Sequence, residues 1–545
     1  MNADPATLAT AHSFAAGSPV RAVRSARDVD IARVIRWLCL TCLLFYLFTA
    51  GSNFSSGDAQ SELRVDQGLV DHGWVDVPQG KTGQLCGGWG CQGVDGRFYA
   101  THGIGYSLYL LPFYVVALVT ANALQVTNCG QVGQPLATHS WNYCVPIHLV
   151  SWANSLLAAA TVALLCLLCL ELGYSLRRSL ALALLYGFAT LAWPYARYGF
   201  DVTLTALLLL AAFREALIAA GNATCLMGGS VTAPRRWLRA GGLAALAVLV
   251  RLPAAAAIAP LALFLLVVSW KQPFMTRLRM WIAFAAPLVL SLAFTCWYNW
   301  ARFGSASPLA DGHAANSAES LTTPPWVSIP GMLISPGKGL LWYTPLVLMA
   351  LLCIPALYAR HRAACTLALA MAACGLLPYL PVQDWIGGDA WGPRFTLQVL
   401  PFLVLPAIEL PTVLRSRLSR LLAVALLLVS VILQLAGCLV DYNLRLRWYR
   451  GHGISTDQII WDPRYSPLGD HVQVLWSYIT HWQTARLTSN HGASFDLWWL
   501  NLWRNDGKSP ALTLLAGGLV GLLGLLALWR LVRSLPRSAP SAHPR

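Results

Sequence analysis

An aspartate, Asp58, stands eight residues beyond the first apolar run of the chain, at the end of the sequence Ser-Ser-Gly-Asp. A carboxylate at the edge of a membrane can accept a proton from a hydroxyl group of a second molecule. Ser-Ser-Gly-Asp is also a favourable sequence for capping the first turn of a helix. The residues therefore allow two roles for Asp58, general base or helix cap, and do not choose between them.

Two arginines stand where a positive charge needs an explanation. Arg251 lies inside the apolar run Val-Leu-Val-Arg-Leu-Pro. A charge in such a run is energetically costly, so its presence indicates a function. Its planar fork matches a phosphate group; the alternative is that the side chain reaches out to the membrane surface. Arg394 closes a loop that begins at Gln383 and carries the acids Asp384 and Asp389. We expect Arg394 to hold a phosphate group as well.

The loop before Arg394 also contains Trp391, whose ring could stack on a sugar, and three glycines that allow the backbone to approach a ligand. The alternative is an ordinary tight turn with tryptophans at the membrane surface. Lys338, in the sequence Ser-Pro-Gly-Lys-Gly, is a third candidate for binding phosphate, although lysines are common at membrane surfaces.

Other polar stretches near the ends of predicted helices supply candidate substrate contacts. The segment 95–106 mixes cations, hydroxyls and glycines, and we expect it to contact sugar or phosphate; a turn followed by surface aromatics is the alternative. Glu62 stands one helical turn beyond Asp58, and Tyr195 lies at a turn between two predicted helices. The candidate contacts are Glu62, Arg97, His102, Tyr106, Tyr195, Asp384, Asp389 and Trp391.

The composition is that of a membrane protein. Of the 545 residues, 57% are hydrophobic and 11% are charged, whereas soluble domains carry about 25% charged residues. Most of the arginines behind the net charge of +15 lie in short loops, where they orient helices, so nucleic acid is not an expected partner. The sequence contains no Walker loop, Rossmann fingerprint, HExxH or GxSxG motif, which argues against ATP-driven transport and the common hydrolases.

Apolar runs recur from end to end and predict an all-α polytopic membrane protein with about twelve transmembrane helices. Arginines around the first run place the tails 1–30 and 533–545 in the cytoplasm. Residues 31–440 form the main transmembrane module, 441–508 a periplasmic segment and 509–532 the last transmembrane helix. The predicted passes are 31–50, 147–170, 179–196, 201–220, a hairpin within 241–270 with Arg251 at its tip, 281–300, 339–358, 363–381, 395–413, 421–440 and 510–532.

The first loop, 51–146, allows two topologies. Residues 103–125 are apolar enough to span a membrane, which would make the residues after them cytoplasmic. If 103–125 instead lies along the membrane surface, the whole loop stays in an oxidising space where its cysteines can form disulfides, and the arginines of later loops stay inside. We adopt this second topology. The two close cysteine pairs are Cys86/Cys91 and Cys129/Cys144.

Six short motifs follow one another in the order found in a known group of enzymes. They are Gly57-Asp58, Tyr106–Tyr114, Leu191–Tyr195, Tyr298–Ser305, Ser335–Gly339 and Trp391–Arg394. In this order the chain resembles the GT-C superfamily of polytopic membrane glycosyltransferases, near bacterial members of the protein mannosyltransferase and lipid A aminoarabinose transferase group. The resemblance covers about 30–410.

The resemblance implies a GT-C-like bundle with juxtamembrane helices in the first periplasmic loop of a bacterial inner-membrane protein. It implies inverting transfer of a sugar from a polyprenyl-phosphate donor to a hydroxyl of an envelope glycan, lipid or protein. Asp58 would be the general base, and Arg251 and Arg394 would hold the phosphate. Many relatives have an Asp-Glu pair where this chain has Asp58-Ala59, so a divalent metal is not supported, and no other cofactor is predicted.

The alternative function is transport, by a flippase for a lipid or a sugar-linked lipid without transfer chemistry. Transporters place polar groups near the bilayer midplane, on broken helices in repeated halves. In this sequence the polar groups cluster at the outer ends of the predicted helices, and no internal repeat is evident. We therefore favour a transferase.

Overall fold

The computed structural model describes residues 30–51, 57–78, 86–87, 90–123, 149–226, 233–309, 321–480, 495–500 and 510–536. Most of the chain in these ranges is α-helical. Two of the cysteines predicted to form disulfides, Cys129 and Cys144, lie outside the described residues, as do nearly all of the two predicted tails.

The helices follow the apolar runs of the sequence, because a backbone within a bilayer must satisfy its hydrogen bonds internally. The longer ones are α1 (Ile31–Phe48), α2 (Gly57–His72), α3 (Ile104–Ala123), α4 (Ala153–Glu171), α5 (Leu176–Phe188), α6 (Val202–Ala219), α7 (Ala233–Val250), α8 (Ala254–Ser269), α9 (Phe274–Phe303), α10 (Pro325–Ile334), α11 (Pro345–Arg360), α12 (Arg362–Leu376), α13 (Arg417–Leu439), α14 (Tyr442–Gly451), α15 (Thr456–Trp461), α16 (Pro467–Thr480) and α17 (Pro510–Ser534). Shorter helical turns lie at Ala192–Tyr195, Leu340–Tyr343, Leu377–Tyr379, Arg394–Val399, Leu400–Val404, Leu405–Glu409, Leu410–Val413 and Pro463–Tyr465.

Within the described ranges, eight helical segments are long and apolar enough to cross a membrane by length and composition. They are Ile31–Phe48, Leu149–Glu171, Val202–Ala219, Phe274–Phe303, Arg362–Tyr379, Arg394–Val413, Arg417–Leu439 and Ala511–Ser534. The chain thus has the all-α, multi-pass character that its sequence predicts, but this criterion does not reach a count of twelve. The other predicted passes correspond to α5, α7, α8 and α11. Three of these helices have 13 or 16 residues, and α7 carries three arginines.

Several helix boundaries differ from the prediction. The hairpin predicted within 241–270 is broken at Arg251–Pro253 as expected, but its first helix already begins at Ala233. The pass predicted at 179–196 ends at Phe188. Beyond it, the Ala192 amide donates to the Thr190 hydroxyl (3.1 Å) in place of a helical backbone carbonyl, and that hydroxyl donates to the Tyr186 carbonyl (2.5 Å).

A continuous apolar core runs through the bundle. In it α7 packs between α6 and α9, and α1 packs between α4 and α17. Small residues permit the close approach that membrane helices need: a Cβ at Gly241 would lie 2.2 Å from the carbonyl oxygen of Phe284 on α9. The core fixes the helix ends, and the polar loops described below join those ends.

The first loop folds against the bundle as two helices and a small sheet. The Ser107 hydroxyl of α3 donates to the Glu62 carbonyl of α2 (3.0 Å), and the two helices lie side by side. α2 is largely polar and α3 is apolar, and the position of 103–125 relative to a membrane stays a prediction.

The sheet has the antiparallel order β1-β4-β3-β2. Its strands are β1 (Asp76–Val77), β2 (Cys86–Gly87), β3 (Gly90–Gln92) and β4 (Phe98–Tyr99). Cys91 is disulfide-bonded and stands opposite Cys86 in the register, although the side chain of Cys86 is outside the described residues.

The segment after α13 folds back over the loops that precede it. The Gly337 amide donates to the Ile460 carbonyl (3.0 Å), and the Ser466 hydroxyl donates to the Pro336 carbonyl (2.6 Å). Further along, the Trp498 amide donates to the Ala50 carbonyl at the end of α1 (3.0 Å). The sequence predicts a periplasmic segment here; the structure shows its contacts with these loops, and the side of the membrane stays a prediction.

Candidate functional site

Asp58 and Arg394 form a direct ion pair. An Nη1 of Arg394 lies 2.5 Å from Oδ2 of Asp58, and the His102 ring lies 3.8 Å from the other carboxylate oxygen. Asp58 is the second residue of α2, where the helix dipole also favours a negative charge. Arg394 begins the helical turn that follows Pro393. The two residues, 336 positions apart in the chain, meet because both stand at helix starts on the same end of the bundle.

The surroundings of Asp58 keep its carboxylate ionised. Burial alone would raise its pKa, but the nearby cations, first among them Arg394, hold the pKa of Asp58 well below its usual range. The Asp58 side chain is still 32% exposed. An ionised, partly accessible carboxylate can accept a proton, but its ion pair makes it a weaker base than a free aspartate.

A second ion pair lies beside the first. Nη1 of Arg251 contacts both carboxylate oxygens of Asp201, at 2.7 and 2.8 Å, and Nε donates to the Tyr379 hydroxyl at 3.2 Å. The Phe395 ring separates the two pairs: its centroid is 5.3 Å from the Arg251 guanidinium carbon and 5.1 Å from that of Arg394. Two buried arginines thus face a common aromatic ring.

Asp201 was not among the residues singled out from the sequence. It stands at the start of the predicted pass 201–220, and acids are common in the first turn of a helix. The one sequence signal for a site role of Asp201 was its position, directly after Phe200, at the predicted outer end of a pass.

Arg251, Asp201 and Phe395 line a cavity of about 680 Å³. Its polar wall includes His102, Asp201, Arg251, Arg302 and Asp384. Its apolar wall comes from the end of α7, the start of α8 and the α9 residue Phe294. Asp58 and Arg394 lie directly behind His102 and Phe395, both of which line the cavity.

Arg302 joins the sheet of the first loop to this cavity. Its Nη1 donates to the Ala100 carbonyl (2.5 Å), its Nη2 donates to the Asn299 side chain (2.9 Å), and its guanidinium lies 3.6 Å above the centre of the Tyr298 ring. The stretch Tyr298–Ser305 belongs to the motif series in the sequence, but Arg302 was not predicted as a site residue. It brings a second arginine, besides Arg251, to the cavity wall.

Glu62 lies one turn beyond Asp58, but it faces the protein interior. Its side chain is 1% exposed, and neither carboxylate oxygen has a hydrogen-bond partner among the described residues. Burial, with Asp201 and Asp58 nearby, raises the pKa of Glu62 well above its usual value. A protonated, enclosed Glu62 cannot reach a substrate in this arrangement, which differs from its predicted role.

Three other predicted contacts lie away from the cavity. Arg97 is exposed and pairs with Asp95 at 3.8 Å. The buried hydroxyl of Tyr106 donates to Asn154 (2.8 Å), and that of Tyr195 donates to the Trp391 carbonyl (2.9 Å). Tyr106 and Tyr195 therefore brace the loops around the site. His102, by contrast, lies in the cavity wall, and its contact with a substrate stays a prediction.

The predicted loop 383–394 divides between the cavity and the segment after α13. Asp384 lines the cavity and accepts a hydrogen bond from the Gly388 amide (3.0 Å). Asp389 points the other way and pairs with the exposed Arg450 at 2.6 Å. The Trp391 ring is buried, with the His471 ring 4.5 Å away, so it is not available for stacking on a sugar in this arrangement.

Lys338 reaches this same loop and does not line the cavity as the structure describes it. Its ammonium donates to the carbonyls of Gly388 (3.0 Å), Ala390 (2.7 Å) and Gly392 (3.3 Å). Three carbonyls engage all three N–H groups. The geometry differs from the phosphate contact that the sequence suggested.

No group of three or more histidine, cysteine, aspartate or glutamate side chains is arranged to hold a metal ion in the described part of the chain. Asp58 and Asp201 are each paired with an arginine, and Asp384 in the cavity wall accepts a hydrogen bond from the Gly388 amide. The donor set here suits a phosphate group better than a cation.

No protein-family model matches the sequence, and no match was found among curated proteins. Among solved structures, the chain is similar to the crystal structure of the Archaeoglobus fulgidus oligosaccharyltransferase in the apo form, at 11% sequence identity and a TM-score of 0.42. The similarity covers 81% of this chain and 60% of the archaeal chain. At this identity and score, it assigns no role to any residue of this chain.

Proposed function

We propose that this protein is an inverting glycosyltransferase that moves a sugar from a polyprenyl-phosphate donor to an acceptor hydroxyl. One observation carries the proposal: an ionised, partly accessible aspartate contacts an arginine, and this pair lies next to His102 and Phe395 in the wall of a cavity that a second arginine also lines. A base for a hydroxyl and cations for a phosphate are the two groups that this reaction requires.

The cavity wall suits a donor with a polar head and an apolar tail. Arg251 and Arg302 lie on its polar side. Phe294 lines the apolar side, and its side chain is 37% exposed on a helix that presents many apolar side chains outward. A lipid-linked sugar could therefore keep its isoprenoid chain along α9 while its phosphate approaches the arginines.

The reaction proceeds in one displacement. Asp58 takes the proton of the acceptor hydroxyl as the acceptor oxygen forms a bond to the anomeric carbon. The bond between that carbon and the phosphate oxygen breaks, and its electron pair stays on the polyprenyl phosphate. Arg394 and Arg251 stabilise the charge that develops there. Attack from the face opposite the phosphate inverts the configuration at the anomeric carbon.

The acceptor is an envelope glycan, lipid or protein, and the site faces the periplasm of a bacterial inner membrane. The acceptor class rests on the resemblance to the GT-C superfamily. The orientation rests on the sequence: the arginine-rich loops define the cytoplasmic side, and the site residues are predicted at the opposite ends of the same helices. No cofactor is part of the proposal.

The test replaces Asp58 with asparagine and measures transfer from radiolabelled polyprenyl-phosphate sugars in membranes. We expect transfer to fall by about 100-fold or more, because a general base contributes that much. Asp457→Asn, at an exposed position in α15, is the matched control and should transfer normally. Full transfer by a well-expressed Asp58→Asn protein would remove Asp58 as the base. Lipid translocation without any transfer, in wild type and variant alike, would favour a transporter.

A further inference from the structure

The loop that leads to Arg394 has an unusual backbone. Gly387, Gly388 and Gly392 have φ values of 74°, 63° and 66°, in the left-handed region that side chains disfavour. A backbone of this shape cannot pair its carbonyls in a regular helix or sheet. Its carbonyl groups therefore need partners from elsewhere.

The side chain of Lys338 supplies hydrogen-bond donors for these carbonyls. Its side chain is 5% exposed and donates to three of the loop carbonyls, and the Tyr195 hydroxyl takes the carbonyl of Trp391. Four carbonyls within five residues are thus captured by two buried side chains. The loop ends, one residue later, in Pro393 and Arg394.

The turn that carries Lys338 is itself fixed. The Lys338 amide donates to the Ser335 hydroxyl (3.2 Å), and the Gly339 amide donates to the Ser335 carbonyl (2.7 Å). The neighbouring Gly337 amide bonds to the segment after α13. A rigid turn therefore holds the ammonium in place beneath the loop.

We infer that Lys338 is a positioning residue, whose ammonium holds the loop 387–392 in the shape that places Arg394 against Asp58. The catalytic role of Arg394 rests on the proposed function, whereas the effect of Lys338 on the shape of the loop does not. It assigns to Lys338 a role different from direct phosphate binding, because all of its N–H groups are used by the loop.

The ammonium must stay charged to make all three bonds, since a neutral amine has only two N–H groups. Burial lowers the pKa of Lys338 to about 8. The charged groups around it are Asp384 and Asp389, which raise this pKa, and Arg394 and Arg450, which lower it. The loop should therefore loosen as the pH rises through about 8, which gives transfer an alkaline limit.

The experiment compares wild type with Lys338→Met by peptide-resolved hydrogen exchange, together with the pH profile of transfer. We expect amides of 387–394 to exchange at least about tenfold faster in Lys338→Met, because the loss of even one such hydrogen bond is worth about that factor. kcat should fall, and the alkaline limb near pH 8 should disappear. Lys271→Met, at an exposed turn between α8 and α9, is the control and should change neither measurement.

Two outcomes would overturn the inference. One is unchanged exchange of 387–394 in Lys338→Met with impaired donor binding, which would make Lys338 a direct phosphate ligand. The other outcome applies if the methionine variant does not fold, and it is measured on the wild-type protein. Loop exchange that is equal at pH 7 and pH 9.5, after correction for intrinsic rates, would overturn the inference. Faster loop exchange in a protein that shows no transfer would support the positioning role while the proposed function fails.

Discussion

Replacing Asp58 with asparagine should strengthen donor binding while it lowers transfer by about 100-fold or more. Arg394 is proposed to bind the donor phosphate, but it already pairs with Asp58 at 2.5 Å. The phosphate and the carboxylate therefore compete for one guanidinium. Asparagine keeps the size of the side chain and removes the charge that competes.

The size of the effect follows from the ion pair. A hydrogen bond to a charged group contributes about 1.5–3 kcal/mol, and the 32% exposure of the Asp58 side chain favours the lower end of that range. With about 1.4 kcal/mol per tenfold change, the Kd of a short-chain isoprenyl phosphate should fall about tenfold in Asp58→Asn. Asp58→Glu keeps the competing charge and should leave this Kd within about twofold of wild type.

The assay is calorimetric titration of the purified protein in detergent with that isoprenyl phosphate. A Kd in Asp58→Asn equal to or weaker than the wild-type value, with an unchanged melting temperature, would refute competition for Arg394. The same result would leave the role of Asp58 as a base to be judged from the transfer assay alone. Tighter binding combined with lost transfer is the outcome that the structure favours.

Three further predictions concern charge and pH. Arg394→Met removes the main cation that lowers the pKa of Asp58, so the acid limb of transfer should move to higher pH, as a pH–rate profile of the residual activity can show. Arg251→Met leaves the charge of Asp201 buried without its partner and should cost about 3–5 kcal/mol of stability; the double variant with Asp201→Asn should melt at a higher temperature than the single one. Burial raises the pKa of Asp66 to about 9, so the folded state holds an extra proton and stability falls between about pH 4 and 9. Asp66→Asn should therefore melt above wild type at pH 8 and equal to it at pH 4.

The convergence of Asp58 with Arg394 was accessible from the sequence, because both residues follow or precede apolar runs that end on the same predicted side. Arg251 was accessible for a different reason: a lone charge in an apolar run is conspicuous. The multi-pass helical character follows from hydropathy alone. Helix boundaries were less accessible, since local bonds such as that from the Ala192 amide to the Thr190 hydroxyl lie inside an apolar run and leave hydropathy unchanged.

The direction of individual side chains could not be read from spacing. Glu62 stands one turn after Asp58 and would share its face, yet its carboxylate lies against the bundle and not in the cavity. Lys338 resembles a phosphate ligand in sequence, because nothing there shows that three carbonyls of a distant loop surround it. Asp201 was missed since its partner, Arg251, lies 50 residues away.

The contact of the Trp498 side chain with the end of α1 imposes an order on how the protein is made. The indole donates to the Leu47 carbonyl across a separation of 451 residues, and the Trp499 indole donates to Phe48. Because the chain emerges from its N-terminus, α1 is in the membrane long before these tryptophans are synthesised. The Trp193 indole already donates to the Thr49 hydroxyl at the end of α1 (3.0 Å), but the two bonds from Trp498 and Trp499 form only after nearly the whole polypeptide has been made. A chain released before that point would carry every residue of the proposed catalytic set and lack these two bonds at the end of α1.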